Sequence, residues 1–234
     1  SLKSLKVINL NTKKIKDMSF LFSGLNSLTS LDLSDLDTSQ ATNLSYMFSS
    51  SSSLTDLDLS NFNTELVNDM SFMFYDMKKL TNLKISELKT SNVLLMTSMF
   101  SSCKALKELN LKNFDTKNVI DMSGMFQYWG TLLSIDISSF NTQKVTDMNS
   151  MFSECNLLKS LDVSNFDTSE VTDMFQMFGS LRSVVTLDLR NFNTKKVKDM
   201  SKMFNLGYTL KSLDISSFDT SEVMDMSAMF SNLP

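Results

Sequence analysis

Carboxylate side chains recur along the chain at a fixed interval, and their spacing is the first feature that could support chemistry. They stand 26 residues or a multiple of 26 apart, and most have a Ser two residues before or after. Carboxylate and hydroxyl oxygens suit Ca²⁺, but this ion needs six to eight of them in a shaped cage. One carboxylate per repeat predicts a solvated or partner-binding face, or weak cation screening, more than a specific calcium site. The carboxylates are Asp32, Asp58, Asp136, Asp162, Asp188 and Asp214.

Chemistry that depends on imidazole is excluded, because the 234 residues contain no His. This removes Ser-His-Asp and Cys-His catalysis and His-ligated zinc. No P-loop, dinucleotide-binding or paired-Cys metal motif is present. We therefore expect no catalytic residues, no cofactor and no resident metal, and we expect that the chain is not an enzyme.

The two cysteines, Cys103 and Cys155, stand at equivalent positions two repeats apart. If successive repeats stack at strand spacing, their Cα atoms lie roughly 10 Å apart, beyond the reach of about 7 Å that a disulfide allows. The sequence predicts two free, mostly buried thiols.

The overall charge makes nucleic acid an unexpected partner. The formal net charge is -4, with charged residues of both signs well mixed at 21% of the chain, whereas nucleic-acid binding needs a basic surface. No run of about 18 apolar residues is present to cross a bilayer, so we expect no membrane insertion of this segment.

An uninterrupted internal repeat of 26 residues organises the whole chain. A fixed period of this size indicates a stack of identical supersecondary units. Within each unit, position 11 is Thr and position 21 is Phe in all nine copies. Such repeats bury their apolar faces only against their neighbours, so a single domain is predicted over 1-234. The units start at residues 2, 28, 54, 80, 106, 132, 158, 184 and 210.

Two elements are predicted within each unit. Positions 1 to 6 alternate around Leu-Asp-Leu, which indicates a short strand with positions 1, 4 and 6 buried. Apolar residues at positions 17, 20 and 21, with Asp before them as an N-cap, predict a helix of about two turns. Met at positions 17 and 20 accounts for 16 of the 18 methionines. A Met-rich binding surface is conceivable, but shared helical spacing with Phe favours core packing.

These elements predict an α/β repeat solenoid. We expect a leucine-rich-repeat-like, right-handed coil of nine 26-residue units, each with one short parallel β-strand and one short helix. The Thr at position 11 is expected to hydrogen-bond locally at a turn and to form a ladder between coils.

The repeat resembles a known family of bacterial surface proteins. The string Leu-Asp-Val-Ser-Asn-Phe-Asp-Thr-Ser-Glu-Val-Thr-Asp-Met, from Leu161 to Met174, is similar to the 26-residue repeat of the BspA-like leucine-rich repeat surface proteins. The resemblance extends over all nine units, including Phe or Leu at position 9 where ordinary leucine-rich repeats carry Asn or Cys. It implies a cell-surface or extracellular, often lipid- or wall-anchored protein that binds host or neighbouring-cell molecules. The resemblance supplies no catalytic residues.

Departures from the repeat mark candidate partner contacts. Lys84 and Asn110 replace Asp in the carboxylate series, and Leu133 and Val185 are apolar where other units carry Thr or Lys. Apolar departures on a polar face are candidate anchors for a partner. Tyr128 and Trp129 are further candidates, with the alternative that Trp129 belongs to the core, since Leu or Cys stands at its position in other units.

Two function classes remain open beyond catalysis, which is disfavoured. The first is a surface recognition or adhesion module that binds a protein or glycan on the exposed sheet face. The second is a structural or antigenically variable surface array without a specific ligand. Neither end of the chain carries an evident polar cap of the kind that solenoids require, so we expect a fragment of a longer surface protein, with its anchor outside this segment.

Overall fold

The computed structural model describes all 234 residues, and the chain winds through nine stacked coils that correspond to the sequence repeats. Backbone hydrogen bonds join residues 25 or 26 apart, as where Met122 N donates to Asp147 O at 3.1 Å. The apolar side chains inside the coils form one cluster of 62 buried residues. No helix is long and apolar enough to cross a membrane.

Strands are shorter and fewer than the sequence predicts. They pair in parallel as β1 with β2, β3 with β4 and β5 with β6, in a register that places Leu5 beside Leu31 and Leu57 beside Leu83. Coils 5 to 7 contain no assigned strand, so the prediction of one strand in every unit is wrong. The strands are β1 Ser4–Lys6, β2 Ser30–Asp32, β3 Asp56–Asp58, β4 Asn82–Lys84, β5 Thr186–Leu187 and β6 Ser212–Leu213.

The predicted helix is also wrong, and with it the α/β class, because the chain contains no helix. In every coil, positions 19 and 23 have positive φ, as at Ser98 (50°) and Ser102 (63°). A left-handed residue every fourth position is incompatible with a right-handed helix. The segment instead forms consecutive tight turns, in which Met99 N donates to Met96 O at 3.2 Å.

Alternate N–H groups of these turns reach the next coil rather than the same one. Ser98 N donates to Ser123 O at 2.7 Å, and Phe100 N donates to Met125 O at 3.0 Å. The side chain predicted to cap the helix has a related local role: Asp121 Oδ1 accepts a hydrogen bond from Ser123 N at 2.8 Å. Backbone groups that a helix would satisfy internally are thus satisfied between coils.

The interior confirms the predicted core. Met122, Met125 and Phe126 are each 0% exposed, so the Met positions fill the core. The position-21 rings stack along the array, with centroid distances from Phe126 of 6.1 Å to Phe100 and 5.6 Å to Phe152. This geometry suits offset aromatic pairs.

The Thr at position 11 does form the predicted ladder. Thr116 Oγ1 donates to Asn141 O at 2.9 Å and accepts from Asn141 N at 2.8 Å. The same reciprocal pair of bonds is present at all eight junctions between coils. One buried hydroxyl therefore satisfies a donor and an acceptor of the next coil.

Candidate functional site

The carboxylates of the strand face hydrogen-bond to their own local backbone, and they also face solvent. Asp136 Oδ1 accepts from Ser138 N at 3.1 Å, and the equivalent carboxylates or amides make the same bond two residues on. These hydrogen bonds, with those from the Ser hydroxyls, lower the pKa of Asp136, Asp162 and Asp214. We call this series the strand-face ladder; its members are Asp32, Asp58, Lys84, Asn110, Asp136, Asp162, Asp188 and Asp214.

Cations on the strand-face ladder pair with its own carboxylates. Lys84 Nζ lies 2.8 Å from Asp58 Oδ2, and the Lys84 hydrogen bond, helped by Ser60, lowers the pKa of Asp58 to about 2. Arg190 contacts both oxygens of Asp188 at 2.9 and 2.6 Å and lowers its pKa to about 2. Lys84, which interrupts the carboxylate series, therefore compensates the negative charge of Asp58 in the preceding coil. Such exposed ion pairs contribute little to stability.

Metal ligands are not gathered on this face. No group of three or more His, Cys, Asp or Glu side chains is placed to hold a metal ion. A coil of the strand-face ladder contributes at most one carboxylate, and that carboxylate is already bonded to its own backbone, as Asp162 Oδ1 is to Ser164 N at 2.9 Å.

The structure exposes three of the four candidate anchors. Leu133, Tyr128 and Val185 are 47%, 48% and 38% exposed. Trp129 is 0% exposed, and its Nε1 donates to Leu106 O at 2.7 Å. The Trp129 side chain therefore belongs to the core, and we remove it from the candidate partner contacts.

Both thiols are free and buried, as the sequence predicts. Burial raises the pKa of Cys103 and Cys155 to about 12. Cys103 Sγ donates to Phe74 O at 3.2 Å, and Cys155 Sγ donates to Phe126 O at 3.1 Å. A nucleophilic Cys needs an accessible, low-pKa thiolate, so these thiols are structural.

Comparison with known protein families identifies the family of this chain. The family described as "Mycoplasma protein of unknown function, DUF285" matches over residues 2–109, 53–156, 95–206 and 155–234. The chain belongs to the DUF285 family. The four overlapping matches together extend over residues 2–234, so every coil of this DUF285 chain is included. No curated protein matches its sequence.

Several solved leucine-rich repeat structures are similar to this DUF285 chain at low scores. A leucine-rich cell surface protein of Faecalibacterium prausnitzii has a TM-score of 0.40 and 14% identity, over 89% of this chain and 65% of that one. The chain thus spans less than two thirds of that protein's structure. A leucine-rich repeat protein of Bacteroides ovatus gives 0.29 and 14%, over 89% and 71%. The functional domain of InlJ from Listeria monocytogenes gives 0.26 and 15%, over 95% and 57%.

Sequence reasoning missed an aromatic surface on the side of this DUF285 chain that the consecutive tight turns form. We call it the turn side. Phe20, Tyr46 and Phe72 stack with centroid distances of 4.5 and 4.4 Å, and Tyr75 meets Phe72 edge-on at 5.6 Å. Phe20 is exposed, and the Tyr46 and Phe72 rings are half-buried. Aromatic residues at position 19 in the first three repeats, against small or polar residues in the later ones, were the available signal.

A second series of carboxylates lies on the turn side at position 16. The backbones of Asp121, Asp147 and Asp173 are direct bridge partners in successive coils. Burial, together with the charge of Asp121 and Asp173, raises the pKa of Asp147, and burial raises that of Asp173. The ionised form of Asp147 is therefore disfavoured by folding.

Replacing Asp147 with Asn is expected to stabilise the protein at pH 7 by about 0.2–1 kcal/mol, the scale of a like-charged cross-strand pair. Asn43, at the equivalent position, already accepts from Ser45 N at 2.9 Å, so the local bond is retained. Urea denaturation at several pH values measures the effect.

The pH dependence of the Asp147→Asn difference provides its check. Because the folded pKa of Asp147 is raised, the native protein gains stability as pH falls through that pKa. The advantage of the variant should shrink over the same range and be gone below about pH 4, near the unfolded pKa. Asp225→Asn is the control, since hydrogen bonds from Ser227 lower the pKa of Asp225. Equal stabilisation by both variants would contradict the explanation.

Proposed function

We propose that this chain is the recognition segment of a BspA-like cell-surface protein and that it binds a protein or glycan of a host or neighbouring cell. In this proposal the nine coils act as one domain, and a lipid or wall anchor lies outside residues 1–234. Two findings support it. The Leu161–Met174 string resembles the repeat of that family, and the DUF285 match includes every coil.

The observation that carries the proposal is how the repeat divides between interior and surface. The residues that recur in nearly every coil are committed to structure: Thr116 bonds to the next coil, and Phe126 stacks on a ring of each neighbouring coil. The apolar departures Tyr128, Leu133 and Val185 are exposed instead. A constant scaffold with exposed apolar departures on a polar surface is typical of a protein-contact surface.

The state of the reactive groups supports binding rather than catalysis. The two thiols are buried with pKa values raised to about 12. Ladder carboxylates such as Asp58 and Asp188 have pKa values near 2, so they stay ionised at neutral pH and are poor general acids. The ladder carboxylates that form no ion pair, Asp136, Asp162 and Asp214, have lowered pKa values as well, and their charges suit electrostatic complementarity with a partner.

The first test is a binding screen of the folded chain against host cells and extracellular-matrix proteins, with calcium and with chelator. We expect saturable binding that weakens at least tenfold in the double variant Leu133→Asp and Val185→Asp. The physical reason is that two anchors 47% and 38% exposed would become charged within an apolar contact.

A matched double variant lies on the turn side. Leu94→Asp and Ile120→Asp replace side chains of similar exposure, 42% and 40%, and should leave binding unchanged. Equal binding by the native protein and the Leu133/Val185 variant would disprove this location. No binding by a folded, monodisperse sample under either condition would favour the structural or antigenically variable array.

A further inference from the structure

A cavity of about 320 Å³ opens at the edge of the array where coils 4, 5 and 6 meet. Ligand pockets begin at about 300 Å³, so this volume suits one small ring. Its wall combines one aromatic ring, one cation, one carboxylate, one hydroxyl and one amide. The lining residues are Lys104, Tyr128, Gly130, Thr131, Glu154 and Asn156.

A local departure from the repeat creates the space. Gly130 occupies position 25, where coils 1 and 6 carry Asn26 and Asn156. A Cβ added at Gly130 would meet nothing within 4 Å, so the cavity holds the volume of a missing side chain. The neighbouring backbone is held firmly, because Trp129 Nε1 and Thr131 Oγ1 both donate to one carbonyl oxygen, at 2.7 and 3.2 Å.

The polar groups of the wall are oriented by hydrogen bonds to one another and to Ser180 and Ser183. Glu154 Oε1 accepts from Ser180 Oγ at 2.9 Å, and its Oε2 accepts from Asn156 Nδ2 at 3.3 Å. Asn156 O accepts from Ser183 Oγ at 2.8 Å. Asn156 Oδ1 is buried and has no protein donor, and an unpaired buried acceptor is destabilising. A ligand hydroxyl would supply the missing donor once the Asn156 side chain turns this oxygen toward the cavity.

We propose that this cavity binds a neutral pyranose ring. A pyranose presents an apolar C–H face, which suits the half-exposed Tyr128 ring, and hydroxyls that both donate and accept. Lys104 supplies donors, Glu154 and Asn156 supply acceptors, and Thr131 Oγ1 can accept while it donates to Leu106 O. The proposal rests on the recognition function above and specifies the glycan class of its ligand.

The cavity is less suited to two other kinds of ligand, anions and extended peptides. A phosphate or carboxylate ligand needs cations that no carboxylate opposes, whereas Glu154 lies in the same wall as Lys104. An extended peptide needs an open strand edge for its backbone, and coils 4 to 6 offer no strand beside this cavity except β4, which lies on the strand face.

The test is a saturation-transfer NMR titration of the whole chain with methyl α-glucoside, methyl β-galactoside, methyl α-mannoside and N-acetylglucosamine. We expect saturable binding of at least one sugar, with a dissociation constant on the order of 1 mM. Gly130→Asn should weaken it at least tenfold by filling the cavity with a side chain that the repeat already accepts at this position.

A second variant removes the ring without straining the backbone. Tyr128 has φ 58°, and Ser50 and Ser102 hold the equivalent position at 59° and 63°, so Tyr128→Ser should fold and also lose at least tenfold in affinity. The control is Tyr208→Asn, which removes an equally exposed tyrosine at 48% and introduces Asn at repeat position 25.

The outcomes separate this site from the broader function. No saturable signal from any of the four sugars, or binding retained by Gly130→Asn, or equal loss in Tyr208→Asn, would overturn the pyranose site. Cell binding that persists in Gly130→Asn would leave the recognition function standing without this site. Absence of cell binding by the native chain would count against the recognition function, while the sugar titration would still decide the cavity.

Discussion

Replacing Phe126 with Ala is expected to lower the free energy of unfolding by about 3–5 kcal/mol, the usual cost of deleting a buried aromatic ring. The ring is 0% exposed. Its centroid lies 6.1 Å from Phe100, 5.6 Å from Phe152 and 6.1 Å from Trp129. The reciprocal Thr bonds join coil 5 to coil 4 and to coil 6, so we expect the space left by the ring to collapse only in part.

The same substitution should also change the shape of the unfolding transition. Each coil contacts only its neighbours, so stability in such arrays is a sum of coil and interface terms. A weak central coil is expected to divide the nine coils into two blocks and to broaden or split the transition. Trp129 is the only Trp and lies beside Phe126, so its fluorescence reports the centre while circular dichroism reports the whole chain during urea denaturation.

The control for Phe126→Ala is the same change in the last coil. Phe230 stacks on Phe204 at 6.0 Å but is 44% exposed. Phe230→Ala should therefore cost much less and leave a single transition. Equal losses of stability in the two variants would show that the stacked rings do not hold the centre of the array together.

The sequence predicted the interior of each coil but not the backbone of its second half. Met96, Met99 and Phe100 are spaced as on one helical face, and they are all buried. Tight turns that bring the same side chains inward produce the same spacing. What separates the two conformations is positive φ at Ser98 and Ser102. These positions elsewhere hold Gln, Lys, Glu and Leu, and Gly only at Gly24 and Gly124, so no regular glycine signal marked the left-handed residues.

The strand prediction failed for a different reason. Leu109 and Ile135 are apolar at the inward position, as Leu57 is in β3, yet coils 5 and 6 contain no assigned strand. Alternation predicts which side chains turn inward, and it does so correctly here. It does not determine whether neighbouring backbones approach closely enough to pair.

Candidate contacts were predicted where a residue departs from its own repeat. This comparison found Tyr128, Leu133 and Val185, which are exposed. It named Trp129 beside Tyr128 with the alternative that Trp129 is a core residue, and the structure shows that this alternative is correct. The comparison between repeats also did not single out Gly130. The space left by its missing side chain becomes evident only when three coils are assembled around it.

Replacing Thr116 with Val is expected to lower the free energy of unfolding by about 2–6 kcal/mol, although the two side chains have nearly the same shape. Thr116 is 1% exposed, and its hydroxyl donates to Asn141 O and accepts from Asn141 N. Val removes both bonds and leaves one buried donor and one buried acceptor unpaired. Each such group costs about 1–3 kcal/mol. Urea denaturation of the native chain and the variant measures the difference.

The comparison with Thr116→Ser isolates the hydroxyl from the methyl group. Ser keeps both hydrogen bonds and loses one buried methyl, worth about 1 kcal/mol, so it should be the milder change. A Val variant as stable as the Ser variant would show that packing, rather than the reciprocal bonds, requires Thr at position 11. Thr220, in the last coil, is exposed and has no coil after it to bond. Thr220→Val should therefore cost little, since the ladder contributes only where a second coil receives the hydroxyl.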